Sequence, residues 1–140
     1  MDGVQTYQSE FLPETLIMIV TDDSPLYQNL IPNFEEFGYG FMIPEKNVIV
    51  IDGEKLIEMG GKPELFKFIE AHEVAHILLN HSGPRDGEEE IEADLGAFLL
   101  LQKYGYVDSI KLLIRNFKFR HGVKFNESLL EKVKNRLSDL

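Results

Sequence analysis

The feature that most constrains this chain is a pair of histidines one helical turn apart. The run FIEAHEVAHILLNHSG at 68–83 contains His72-Glu73-Val74-Ala75-His76, an HExxH pattern. Residues four apart lie on one face of a helix, so both imidazoles can reach a single ion. Glu73 is rotated from His72 by about 100°. It can therefore stand beside the ion and contact a water rather than the metal. Leu65 and Ile69 precede His72 on the same stripe. A buried stripe ending in two unliganded imidazoles would be hard to satisfy with hydrogen bonds. The pattern thus asks for a helix over about 63–80 carrying a divalent metal.

The rest of the sequence limits which metal site this can be. There is no cysteine, so a thiolate site and a disulfide scaffold are both excluded. A structural zinc site closes with four protein ligands, while a catalytic one has three and keeps a position for water. His81 is five residues past His76. The extended HExxHxxGxxH pattern needs Gly and His where this chain has Leu79 and Ser82, so His81 is expected at the helix end, or as a substrate-side group, rather than on the ion. The acidic run EEEIEAD offers the other candidates. Glu90 and Asp94 are four apart, and share a face with Ala93 and Ala97 that would let two helices approach closely. Glu90 as third ligand, with Asp94 holding the distal N–H of a ligand imidazole, would complete a His₂Glu set. Glu92 points about 200° away from Glu90 and remains the alternative.

Charge and length set the broad class. A net charge of −10 argues against nucleic acid and against an anionic membrane surface. The longest early apolar run, LIMIV, is too short for a signal-peptide core or a bilayer span, so a cytoplasmic location is expected. The 140 residues fit one domain, 1–140, with 1–13 as a loose or partly docked end. TLIMIVTD at 15–22 reads as a buried strand. SPLYQNLIPNFEEFG reads as a helix opened by Ser24 and Pro25 and kinked or shortened by Pro32. YGFMI and NVIVID flank a turn at 44–47. Helices are expected at 86–106, 108–118 and 126–139, the basic residues of KLLIRNFKFRHGVKF forming solvated faces. Strands first and helices later make the class α+β.

With those residues in view, the chain resembles zinc metallopeptidases of the gluzincin type. NVIVIDGEKLIEMGGKPELFKFIEAHEVAHILLNH looks like the ImmA/IrrE-type family. EIEADLGAFLLLQKYGY is similar to the ExxAD helix of HtpX-type and CaaX-protease families. The resemblance spans about residues 38–106. It implies a small zincin-like domain, a short sheet packed on a helical bundle that carries HExxH. It further implies Zn2+ held by His72, His76 and Glu90, with Asp94 behind them and Glu73 as general base. The implied activity is hydrolysis of peptide bonds in a protein or peptide substrate by a zinc-activated water. The alternative is a zinc-binding regulatory or partner-binding protein of the same fold with little turnover. NVIVID would be an edge strand for an extended substrate, or an ordinary internal strand. Tyr104, Tyr106 and His121 are candidate donors to a developing oxyanion.

Overall fold

The computed structural model describes residues 2–81 and 86–138. These fall into two compact units, Met1–Lys62 and Pro63–Leu140.

The first unit is a four-stranded sheet with two helices. Its elements are β1 (Val4–Gln8), β2 (Leu16–Val20), α1 (Leu26–Phe37), β3 (Gly40–Ile43), β4 (Val48–Asp52) and α2 (Gly53–Glu58). The strand order is β1-β2-β4-β3. β2 and β4 pair in parallel, and both outer pairs are antiparallel. Ile17, Val20, Ile49, Val50 and Ile51 are fully buried, as β-branched runs at the centre of a sheet should be. Phe34 of α1 lies against Phe41 of β3, ring centroids 5.5 Å apart.

Three open expectations meet the structure here. Of the two readings of 1–13, loose or partly docked, docking holds, because Val4–Gln8 pairs along its length with β2. Its sequence, VQTYQ, is polar because it sits at an edge of the sheet, with one half of its surface wet. The NVIVID strand, β4, is internal, with β2 on one side and β3 on the other, so it has no free edge for a substrate. Pro32 does not shorten α1, which runs on to Phe37. The proline lacks the N–H that would pair with a carbonyl one turn earlier.

The short helix α2 was hidden behind the strand pattern. Asp52 ends β4 and caps α2, its Oδ1 accepting from Glu54 N at 3.1 Å and Lys55 N at 3.2 Å. Gly53 is required there, since a Cβ would sit 2.6 Å from Thr21 Cγ2 and 2.9 Å from the Val20 carbonyl oxygen.

Among its described residues the second unit is built of helices: α3 (Pro63–Leu78), α4 (Gly87–Tyr104), α5 (Val107–His121) and α6 (Glu127–Leu137). α4 packs on α3, α5 and α6, and α3 also packs on α5. From Phe68 to His76 every residue of α3 is buried. That explains why its apolar residues lie all round and not on one stripe. Leu101, Leu113, Phe117 and Val133 complete this core, each worth roughly 1.5–3 kcal/mol of burial. The close approach of α3 and α4 runs through Gly96, where a Cβ would lie 2.9 Å from Ala75 Cβ. The expected small residues, Ala93 and Ala97, are fully buried as well. Among the described residues no helix is long and apolar enough to cross a membrane. The mixed helix and sheet content is α+β, as expected.

Candidate metal centre

Three segments of the second unit build the site. α3 supplies His72, Glu73 and His76, which are 3%, 2% and 2% exposed. The turn after α3 supplies His81. α4 begins at a cap made by Asp86, whose Oδ1 accepts from Glu89 N at 2.8 Å, and its first turns carry Glu90, Glu92 and Asp94.

The ligand-type atoms converge. His72 Nε2 and His76 Nε2 are 3.1 Å apart. Glu90 places Oε1 2.8 Å from His76 Nε2 and Oε2 3.3 Å from His72 Nε2. A tetrahedral ion with bonds of about 2.0–2.1 Å sets its ligand atoms about 3.3 Å apart. The three side chains therefore enclose one point at roughly the spacing an ion needs. Glu73 joins the same cluster, its ligand atom and those of both histidines lying within 4.8 Å of one another. This buried group could hold a metal ion.

The contacts around the cluster are consistent with one arrangement of protons on neutral imidazoles. His72 Nδ1 is 2.7 Å from Asp94 Oδ1, placed to donate a proton there; with the ring neutral, a lone pair at Nε2 then turns toward the cluster. His81 Nε2 is 2.8 Å from Glu92 Oε1 and donates to it. In neutral His81 the other nitrogen then accepts. It lies 2.8 Å from His76 Nδ1, which must be the donor. His76 Nε2 is thereby left as a lone pair too. Glu90 Oε1 is buried and, despite the closeness of His76 Nε2, makes no hydrogen bond of sound geometry. With both rings neutral, two nitrogen lone pairs and a carboxylate facing one point fit a divalent cation.

The electrostatics agree. Burial pushes the His72 imidazole down, but the hydrogen bonds to Asp94 and Glu90 outweigh it and raise its pKa to about 9. Burial pushes Glu90 up, and His72 and His76 more than reverse that, holding its carboxyl well below the usual range. Asp94 is likewise held far below that range, against burial, by His121, His72 and Arg120. In the metal-free protein these carboxylates favour positive charge on His72, as a proton that a bound cation would displace.

Each sequence-derived residue can now be placed. His72, His76, Glu90 and Asp94 come together, and Glu73 stands among them. Glu92 does not face the two Nε2 atoms; it takes His81 and Arg136 Nη1, the latter at 3.0 Å. His121 is not aimed at a substrate oxygen, since its Nε2 is 2.6 Å from Asp94 Oδ2. Tyr106 lies at the start of α3, its ring 5.2 Å from Lys67 Nζ, and Tyr104 is 41% exposed beneath Lys103. Neither tyrosine belongs to the cluster. The HSGP breaker after α3 falls, beyond His81, outside the described residues.

Sequence reasoning missed Arg120, whose Nη1 is 2.6 Å from Asp94 Oδ2, and Arg136, which reaches from α6. No local spacing signals either contact. The charged run of α5 was read as solvated, yet Arg120 turns inward with its guanidinium carbon 5.1 Å from the Phe68 ring centroid. Comparison of the chain with family models, curated proteins and solved structures gave no match.

Proposed function

We propose that the chain is a zinc-dependent peptidase of gluzincin type. The observation that carries this reading is the convergence of His72 Nε2, His76 Nε2 and the Glu90 carboxylate on one point, with Glu73 beside it. His72, His76 and Glu90 would hold the zinc. When bound, the metal would polarise the scissile carbonyl and acidify the attacking water. Glu73 accepts the proton released as that water attacks, and then delivers it to the departing amine. Asp94 keeps His72 in the Nδ1–H form and opposes its rotation. The same donor chemistry in a buried, water-poor setting strengthens each of these interactions.

A second reading follows from one further observation. Glu73 is only 2% exposed, which also suits a metal that stabilises a partner-binding protein without turnover. Glu73→Gln separates the two. The change is nearly isosteric and removes the base. With unstructured protein as substrate, the peptidase reading expects zinc-loaded wild type to cleave. Glu73→Gln should retain the fold and zinc while losing about 10²-fold or more in rate. Equal cleavage by both proteins would remove Glu73 from the chemistry. Zinc-loaded wild type without cleavage would favour the second reading.

A further inference from the structure

His81 was set aside as a ligand, yet it is 5% exposed at the side chain and bound on both sides. Its placement starts in the backbone. Asn80 adopts φ 59, the left-handed conformation that asparagine tolerates better than most residues. The His81 N–H then reaches the His76 carbonyl at 2.9 Å, and the Asn80 N–H reaches that of Ile77 at 3.1 Å. These paired bonds are the Schellman helix ending. They fold the chain back so that residue i+5 stands over residue i. That turn brings the His81 ring to His76, centroids 5.0 Å apart, with the two Nδ1 atoms at 2.8 Å. The far nitrogen of His81 is fixed by Glu92, which Arg136 of α6 holds in turn.

We infer that His81 is a positioning residue for the metal centre, setting the tautomer and orientation of His76 through the Nδ1–Nδ1 hydrogen bond. This rests on the reading of His72, His76 and Glu90 as zinc ligands. Where His72 Nδ1 meets Asp94, His76 Nδ1 meets His81. The pair His81–Glu92 fills that place with a two-step chain. The spacing HxxxNH therefore carries a second function beyond ending the helix. It converts a helix cap into a support for a ligand.

The test uses His81→Ala and His81→Asn. An asparagine side-chain oxygen stands close to where Nδ1 stood and can accept the same proton, whereas alanine cannot. Zinc affinity is measured by chelator competition on the full chain, with His72→Ala as control and the visible spectrum of the cobalt(II) form as a second readout. His81→Ala should weaken zinc about 10–100-fold and alter the cobalt bands, as loss of a support behind a ligand histidine does. His81→Asn should recover most of that affinity and the native spectrum. Unchanged binding and spectrum in His81→Ala would overturn the inference. So would an Asn variant that is folded and as weak as Ala, because then an acceptor at this place is not what matters. Wild type and His72→Ala binding zinc alike, or not at all, would instead remove the metal assignment beneath it, and the inference with it.

Discussion

The two histidines of the HExxH helix are supported by unlike means. His72 gives its Nδ1 proton directly to Asp94, a fully buried carboxylate that Arg120 and His121 of α5 grip from the other side. His76 Nδ1 reaches a carboxylate through a second imidazole, and that carboxylate, Glu92, is 26% exposed and tied to a half-exposed Arg136. A charge taken out of water must be fully paired or its cost is several kcal/mol. The His72 arm meets that demand with three partners on one carboxylate. The His76 arm keeps its carboxylate and guanidinium nearer solvent and sets an imidazole between them and the cluster. The first arm is therefore bound up with folding, and the second chiefly with how the site is tuned.

The largest expected effect comes from Asp94→Asn. The amide can still accept from His72 at its oxygen, but its NH₂ group then faces two donors, Arg120 and His121. Breaking a buried charge pair this way should cost about 3–5 kcal/mol in the metal-free protein, read by urea unfolding. Zinc binding should weaken roughly 10–100-fold. A loss below about 1 kcal/mol, against that expectation for a buried pair, would erase the contrast between the arms.

Gly96→Ala should have a smaller effect, and one shared by both arms. Its Cβ would sit 2.9 Å from Ala75 Cβ and 3.5 Å from Leu79 Cδ1, so α4 must move relative to α3. Overpacking of this kind costs about 1–3 kcal/mol. Glu90, Glu92 and Asp94 all ride on α4, so thermal stability and zinc affinity should fall together with no polar group removed. A variant with unchanged stability and affinity would show that the helices have slack, and that the support comes from side chains alone. The smallest effect on stability is expected at His81, where substitution touches the His76 arm only.

Much of this was legible in the sequence for a physical reason. HExxH, Glu90 and Asp94 depend on spacing within a helix, and helix geometry converts spacing into direction. The same rule separated Glu90 from Glu92, which the structure places on different partners. β1 was not legible, because an edge strand need bury little and VQTYQ shows no apolar run. α2 was concealed because Asp52 serves both as the last residue of β4 and as a helix cap. His81 was tested against a ligand spacing, whereas its geometry comes from the left-handed turn at Asn80. Arg120 and His121 meet Asp94 from 26 and 27 residues away, where no periodicity connects them.

The central claim is that His72, His76 and Glu90 hold one metal ion. The most direct measurement is the metal content of untagged protein, wild type beside His72→Ala, Glu90→Gln and Glu92→Gln. Wild type should carry close to one zinc per chain, with none retained by His72→Ala, a sharp loss in Glu90→Gln and near-full loading in Glu92→Gln. Equal metal in wild type and His72→Ala would contradict the claim.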